Sequence, residues 1–299
     1  MKKTVGILTP AYNRAYIMDV LFESLLAQTS YDFTWYIVDD GSTDDTKEKC
    51  ESFKTDKFDI IYKYKENGGK HTVLNMGADI IEEELMFVVD SDDYITPDAV
   101  ETIVRDWEKY KADKMVGGLS YYKLHNDMSV IGDSYESDEP FVDSYINVRI
   151  NSHIIGDKAE VVKTELMKKH KSPVFEGEKH VGTSVVWSAI ARAGNNFAFI
   201  PKGIYICEYL DDGLTRVGKK KNLKNPNGYL AHTAAMLHDD IKTKLQWKYA
   251  VAYVATSFFA KKKVKEAFRE CPQKGKFVCA FLPGCLLYGY WKKKWGKEL

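Results

Sequence analysis

Three carboxylates grouped at the end of an apolar run are the residues that most clearly suggest chemistry, in the segment Val88-Val89-Asp90-Ser91-Asp92-Asp93-Tyr94. Valine-rich runs favour buried strands, and unpaired carboxylates are too costly to bury, so the acidic group belongs where the strand ends. Carboxylates this close repel one another unless a cation neutralises them. The cation that we expect is Mg²⁺ or Mn²⁺, with phosphate oxygens as further ligands. An Asp-rich turn that only caps a helix starting near Pro97 is the alternative.

Polar loops also follow three other apolar segments in the first part of the chain. The four loops are Thr9–Arg14, Val38–Asp44, Glu66–Lys70 and Asp90–Asp93. In a doubly wound sheet, the loops at the carboxyl ends of the strands lie at one edge, where such folds bind ligands. Aromatic, acidic, amide and basic groups at that edge predict a cleft with anionic and cationic subsites.

The segments that position these loops alternate between strand and helix patterns. Strands are predicted over residues 4–9, 33–38, 58–64, 85–89 and 114–122. Helices are predicted over residues 15–28, 42–53, 71–81 and 98–110. This order predicts an α/β fold with a doubly wound, mostly parallel sheet.

The pattern is less regular in the second half of the chain. Helical patterns occupy residues 141–150, 157–169 and 184–193, and short strand patterns occupy 197–200 and 204–208. A loop rich in Gly and Lys at 211–228 predicts a lid, and 229–270 is strongly helical. We therefore expect a domain over 1–228, with a nucleotide-binding half (1–122) and an acceptor half with the lid (123–228). A helical region follows at 229–299.

Taken together, the four loops resemble those of the family-2 glycosyltransferases, which have the GT-A fold. The matching segments are Thr9-Pro10-Ala11-Tyr12-Asn13-Arg14, Val38-Asp39-Asp40-Gly41-Ser42-Thr43-Asp44, Asn67-Gly68-Gly69 with Asn75-Met76-Gly77, and the DxD-type Asp90-Ser91-Asp92-Asp93. The resemblance is close over roughly the first 110 residues and looser to about residue 230. It implies a nucleotide-sugar donor, most often a uridine diphosphate (UDP) sugar, and transfer of a hexosyl or N-acetylhexosaminyl group with inversion.

The resemblance also implies roles for single residues. The donor-binding residues that it implies are Pro10, Tyr12, Asp39, Asn67, Lys70, Asp90, Ser91 and Arg216. Tyr12 would stack on the base, Asp39 would accept the uracil N3–H, and Lys70 would help to hold the diphosphate. Asp90 and Asp92 would hold the ribose and the divalent cation, so that Asp92 is also a catalytic residue.

Further expectations concern the residues Asp40, Arg216 and Tyr12. Asp40 is expected to tie the turn Gly41–Thr43. Arg216 lies in the segment 209–216, where the family's donor-closing loop should be, and would grip the diphosphate bidentately. For Tyr12, a half-buried aromatic that shields the sheet edge is the alternative.

The general base is expected to come from the second half of the chain. A hydroxyl that attacks the anomeric carbon must lose its proton to a base. The family's catalytic acid falls on Thr183, which cannot act as a base at neutral pH. We expect Glu178 to take this role, with Glu176 and His180 as alternatives from the same loop, and with helix capping as the structural alternative for Glu178. A shifted motif placement, or a protein that binds donor without efficient transfer, would also explain Thr183.

Composition and charge exclude several classes of protein. The formal net charge is zero, so nothing suggests a nucleic-acid partner. Five scattered cysteines without a CxxC pair argue against a zinc site and a disulfide framework, and indicate a reducing compartment. No apolar segment follows Met1-Lys2-Lys3, so we expect no secretory signal, and no apolar run is long enough to span a bilayer. The predicted location is the cytoplasm, either free or peripheral on the inner face of the membrane.

The last thirty residues combine aromatic residues with lysines. Phe277–Tyr290 is apolar and lies between lysines, a composition typical of a membrane interface. A helix packed on the domain, or on a second subunit of a homo-oligomer, is the alternative.

The sequence thus predicts a metal-dependent, inverting glycosyltransferase that acts on a saccharide or lipid-linked acceptor in cell-surface polysaccharide synthesis. One alternative is a nucleotidyltransferase, which would use the same acidic cluster but usually has a Gly-rich first loop, and Pro10–Arg14 contains no glycine. The other is a non-catalytic nucleotide-sugar-binding or scaffold protein.

Overall fold

The structure is a computed structural model that describes residues 2–207 and 218–296. The strands are β1 (Val5–Ala11), β2 (Phe33–Asp39), β3 (Ile60–Tyr64), β4 (Leu85–Val88), β5 (Tyr94–Ile95), β6 (Val116–Leu124), β7 (Phe141–Asp143), β8 (Lys158–Lys163) and β9 (Asn196–Ile206). The helices are α1 (Met18–Leu26), α2 (Thr46–Ser52), α3 (Lys70–Ile80), α4 (Ala99–Tyr110), α5 (Thr164–Lys169), α6 (Ser184–Arg192), α7 (Gly218–Lys224), α8 (Pro226–Ala235), α9 (Thr243–Phe259), α10 (Val264–Glu270) and α11 (Lys274–Trp295).

All these strands join one mixed sheet. Its order is β3-β2-β1-β4-β8-β6-β9-β5, and β7 lies beside β9. The strands β3, β2, β1 and β4 are parallel neighbours, as are β6 and β9. The antiparallel strand β8 lies between β4 and β6. The predicted α/β fold with a mostly parallel sheet is confirmed, and its first four strands carry the candidate donor loops at one edge.

Helices cover the parallel strands, which explains the continuous apolar runs in the sequence. All seven residues of β2 are buried, as expected for a central parallel strand. Helix α4 contributes Val100, Ile103 and Trp107, which follow helical spacing and are fully buried. Each such side chain contributes about 1.5–3 kcal/mol when it leaves water, so the core fixes the strand ends firmly.

Two helices predicted from the sequence are wrong. Residues 157–169 were expected to be one helix, but they form β8 and the short helix α5. Here Ala159 and Val161 pack into the main core while the strand pairs with β4 and β6, and this long-range pairing outweighs the local pattern. Residues 141–150 were also expected to be helical, but they form β7 and part of a π-helix at Ile146–Asn151.

The described residues divide into two compact units. One comprises Met1–Lys171 and Ala189–Leu210, and the other comprises Ser172–Ser188 and Asp211–Leu299. The expected domain boundary between residues 228 and 229 stays a prediction. Within the second unit, residues 172–188 bond to the segment that leads into α8. The Lys179 N–H, for example, donates to Asn225 Oδ1 at 2.7 Å.

The second unit is helical, as the sequence predicts for residues 229–270. Tyr253 of α9 and Phe277 of α11 are buried together, with ring centroids 6.2 Å apart. Gly284 lets the two helices approach closely, since a Cβ at this position would lie 2.5 Å from the Val254 Cβ. In the part of the chain that the structure describes, no helix is both long and apolar enough to span a bilayer.

Candidate functional site

The loops after β1 and β2 are joined by a set of hydrogen bonds. The Asn13 N–H donates to Ser42 Oγ at 2.9 Å, and the Thr43 N–H donates to Asn13 Oδ1 at 2.8 Å. Asn13 has a φ of 54°, a left-handed conformation that asparagine tolerates better than most residues. The two loops therefore form one rigid wall at the carboxyl ends of the parallel strands.

Asp39 ends β2 and is only 1% exposed. One of its oxygens accepts the Ser42 N–H at 2.8 Å, and the other accepts the Tyr62 hydroxyl at 2.8 Å. Burial and this bond to Asp39 raise the pKa of the Tyr62 hydroxyl above its usual value. Asp39 thus ties the turn after β2, and its expected contact with a uracil base stays a prediction.

Asp40 has a different role from the one expected. It does not tie the turn Gly41–Thr43 but holds the loop after β3, accepting the backbone N–H groups of Gly68 and Gly69 at 2.9 and 2.7 Å. Lys65 Nζ completes the contact at 2.6 Å. Because Gly69 has a φ of 89°, only glycine fits this position without strain. This loop leads directly into α3.

Lys70 and Asp90 form an ion pair at the ends of α3 and β4. Lys70 Nζ lies 2.5 Å from Asp90 Oδ1, with the two side chains 35% and 26% exposed. Burial raises the pKa of Asp90, but the charges of Lys70 and Lys123 together lower it by more. The pKa of Asp90 is therefore below its usual value. The expected donor residues Lys70 and Asp90 are thus brought together at the carboxyl edge of the parallel strands.

Tyr205 connects the backbone of the acidic cluster to one of its side chains. Its hydroxyl accepts the Asp90 N–H at 2.9 Å and donates to Asp93 Oδ2 at 2.7 Å, and the ring is fully buried. Lys123 Nζ lies 3.8 Å from the centre of that ring and 4.0 Å from Asp93 Oδ2. Tyr205 and Lys123 were not predicted from the sequence, since each lies in a strand with no local sign of a polar partner.

The carboxylates of the cluster differ in their acidity. Burial and the charge of Asp90 raise the pKa of Asp93 to about 6, despite the opposing effect of Lys123. Burial and Asp90 also raise the pKa of Asp92. Burial lowers the pKa of Lys123, but Asp90 together with Asp93 and other neighbouring groups raises it above the usual value. Burial and the close spacing of the carboxylates thus raise the pKa of two of the three.

The other expected donor residues lie at the same edge, with different exposure. Tyr12 is 47% exposed, whereas Ser91 is 4% exposed, and Pro10 is half-buried. The side-chain oxygen of Asn67 is buried without a hydrogen-bond partner among the described residues, an arrangement that costs about 1–3 kcal/mol unless water or a ligand supplies a donor. Arg216 lies outside the described residues.

In the second unit, Glu178 is buried at the N-terminus of α8. One carboxylate oxygen accepts the backbone and side-chain N–H groups of Asn227, and the other accepts the Gly228 N–H, all at 2.8 Å. These are the contacts of the helix-capping alternative. Thr183 and Glu176 are exposed, and His180 is half-buried.

A small cavity of about 170 Å³ lies beside this loop. Its lining includes His180, Ser184, Tyr229 and His232, and Ser184 Oγ lies 2.8 Å from His232 Nδ1. Burial, followed by the charge of Lys248, lowers the pKa of His232 to about 4, so the imidazole is neutral at pH 7. Polar and aromatic groups of this kind can contact a hydroxylated ligand.

Comparisons with known proteins agree with this architecture. The family model described as "Glycosyl transferase family 2" matches residues 6–159, just over half of the chain. The glycosyltransferase GlyA of Streptococcus pneumoniae serotype 4 is 32% identical over 136 residues, 44% of this chain and 19% of GlyA. The hyaluronan synthase of Pasteurella multocida is 35% identical over 107 residues, 36% of this chain and 11% of the synthase. This chain therefore matches less than a fifth of the length of either relative.

Among solved structures, S. aureus TarS in complex with UDP has a similar fold. The TM-score is 0.66 at 15% identity, and the match covers 99% of this chain and 92% of the TarS chain. TarS has also been crystallised with UDP-GlcNAc. The likeness confirms the predicted GT-A fold.

Proposed function

This chain belongs to family 2 of the glycosyltransferases, and we propose on that premise that it transfers a sugar from a UDP-sugar to an acceptor hydroxyl. The observation that carries the proposal is the convergence of Lys70, Asp90, Asp93 and Tyr205 just past the carboxyl end of β4. This is the edge at which a doubly wound sheet binds nucleotides. The UDP complexes of TarS support a uridine donor.

The exposed groups at this edge suit the parts of such a donor. Tyr12 is the exposed aromatic that we assign to the base, while the neighbouring Asn13–Thr43 bond keeps its loop in place. Asn67 lies close to Gly41 of the loop after β2 and has a buried amide oxygen in need of a donor. Lys70, at the N-terminus of α3, adds positive charge and a helix terminus for the diphosphate.

We propose that a divalent cation binds with the donor, held by Asp90 and Asp92. Among the described residues, no group of three or more His, Cys, Asp or Glu side chains is arranged as a metal site. Mg²⁺ at nucleotide sites commonly uses only one or two carboxylates together with phosphate oxygens, so this pair fits. Burial, followed by the charge of Asp90, raises the pKa of Asp92, and a cation bound there would favour its ionised form. Bound there, the cation would stabilise the departing diphosphate.

The reaction requires an acceptor hydroxyl to attack the anomeric carbon on the face opposite the departing diphosphate, which inverts that carbon. Because three hydrogen bonds already occupy both oxygens of Glu178, we assign it to holding α8. We propose that the base comes from Glu176 or His180 of the same loop. The relation to a hyaluronan synthase supports a saccharide acceptor in polysaccharide synthesis.

Thermal unfolding with UDP and UDP-sugars, with and without Mn²⁺, tests this proposal. A donor at about 100 times its Kd stabilises by about 2.7 kcal/mol, or about 4 °C in Tm for a protein of this size. We expect Asp92→Ala to lose the Mn²⁺-dependent part of this shift, while the exposed control Asp56→Ala keeps it. A full shift in Asp92→Ala would contradict the cation assignment.

Release of UDP separates transfer from the other functions. Release that depends on an added saccharide or lipid-linked acceptor supports a transferase. Donor binding without turnover on any acceptor would favour a binding or scaffold protein, and cleavage between the phosphates would favour a nucleotidyltransferase.

A further inference from the structure

Helix α11 has two apolar faces, and the described residues cover one of them. Phe277, Ala280, Gly284 and Trp291 are buried, and they form the face that packs in the helical unit. On the other side, apolar residues recur every four positions and remain strongly exposed. These residues and their exposed fractions are Val278 (63%), Leu282 (70%), Leu286 (70%) and Tyr290 (55%). We call these four residues the outer stripe.

The outer stripe is a continuous strip along the helix. At about 100° per residue, a spacing of four positions turns by only about 40°, so the four side chains stay within an arc of about 120°. At 1.5 Å per residue, the stripe runs for about 18 Å. An exposed apolar strip of this length is unusual on a soluble surface and marks a contact with something apolar.

Lysines border the outer stripe on both sides. Helix α11 contains five lysines and no acidic residue. The same geometry places Lys274 and Lys292 about 40° beyond one edge of the stripe, and Lys276 and Lys294 about 40° beyond the other. Lys293 lies within the arc, at its C-terminal end. Apolar side chains are therefore framed by positive charge at both ends of the helix.

We propose that α11 lies in the surface of an anionic lipid membrane, with the outer stripe among the acyl chains and the lysines on the lipid head groups. Such a helix lies parallel to the membrane plane, with its apolar face about 5–10 Å deep and its lysine stems extended toward the head groups. This agrees with the finding that no described helix can span a bilayer.

A second copy of the chain fits this face less well. Both ends of α11 are basic, with Lys274 and Lys276 at one end and Lys292–Lys294 at the other. Two copies joined along the outer stripe would bring lysines together whether the helices ran parallel or antiparallel. Anionic head groups instead complement every one of these charges.

Vesicle flotation of the full chain tests the proposal. The vesicles contain phosphatidylcholine alone or with about 30 mol% phosphatidylglycerol. We expect binding to the anionic vesicles that weakens at high salt. The variant Leu282→Gln/Leu286→Gln should bind at least about 10-fold more weakly, because it removes two inserted side chains. Its control is Val174→Gln/Met115→Gln, which changes two apolar side chains of similar exposure (61% and 53%) outside α11.

A second variant tests the charges separately. Replacing Lys292, Lys293 and Lys294 by Gln should weaken binding about 100-fold, at roughly fivefold for each lysine near the surface. The same change at three exposed lysines of the sheet unit, Lys47, Lys54 and Lys114, should leave binding within about twofold of that of the original chain. All these residues are exposed, so each variant should keep the original unfolding midpoint.

Three results would overturn the proposal. They are absence of binding to either vesicle, equal binding by the Leu282→Gln/Leu286→Gln variant, and a lipid-free dimer that this variant converts to monomer. None of these readouts uses sugar transfer, so they are independent of the proposed reaction.

Discussion

Replacing Glu178 by Gln separates a structural role from a catalytic one. The Glu178 carboxylate accepts three hydrogen bonds of 2.8 Å from Asn227 and Gly228, at the start of α8. A glutamine keeps one acceptor oxygen, but it places an amide N–H group opposite a backbone N–H that has lost its partner. The substitution therefore weakens the hydrogen bonds to Asn227 and Gly228 while the volume of the side chain stays almost the same.

The expected loss of stability follows from these contacts. Hydrogen bonds to a charged group contribute about 1.5–3 kcal/mol each, and an anion at a helix N-terminus adds about 0.3–1 kcal/mol. Since Gln retains part of this set, we expect the free energy of unfolding to fall by about 2–3 kcal/mol. For a protein of this size that corresponds to about 3–5 °C in Tm.

Urea unfolding and the initial rate of UDP release should be measured on the same samples. Glu176→Gln is the matched control, because Glu176 lies in the same loop but is exposed, and its effect on stability should stay within about 0.5 kcal/mol. Well below the unfolding midpoint, Glu178→Gln should keep its rate within about threefold. An unchanged midpoint together with a rate about 100-fold lower would show that Glu178 is the general base and refute the capping argument.

Two further predictions concern stability. The pKa of His232 is lowered by burial from 6.5 to about 4, so the unfolded chain binds more protons between these values, and about 2 kcal/mol of stability should be lost as pH falls from 6.5 to 4. Urea unfolding across that range should show a flatter profile for His232→Gln, and an identical profile would contradict the assignment. Tyr205→Phe removes the hydroxyl between the Asp90 N–H and Asp93 and should lower the free energy of unfolding by about 2 kcal/mol, whereas an unchanged urea midpoint would show that this bridge is unimportant.

The sequence predicted the parts of the fold that depend on local patterns. The strands β1, β2 and β4 are largely apolar, and their loops begin where polar residues replace the apolar ones, as at Val38–Asp40 and Val88–Asp90. Strand β8 was missed because its position depends on antiparallel pairing with β4 and β6, which lie far away in the chain. No local pattern of residues 157–169 carries that information.

The contacts of neighbouring residues at a strand end could not be predicted from the sequence. Asp39 and Asp40 follow one another, and side chains alternate between the two sides of an extended chain, so they were bound to have different partners. Which of the two would tie the turn depended on the loop after β3, whose Gly68 and Gly69 N–H groups point at Asp40. Tyr205 lies 112 positions from Asp93 and could be connected to it only by the folded sheet.

The acidic cluster is a costly arrangement in the folded protein, and ligand binding explains why it is retained. Three carboxylates at the end of β4 lie near two lysines, and burial together with the charge of Asp90 raises the pKa of Asp92 and Asp93. For stability alone, a neutral residue at position 92 would be less costly, since like charges in a half-buried site raise the free energy of the folded state. Asp92→Asn should therefore slightly raise the urea midpoint without ligand while it weakens UDP binding in the presence of Mn²⁺. That pair of opposite effects is expected of a residue retained for ligand binding at the expense of stability.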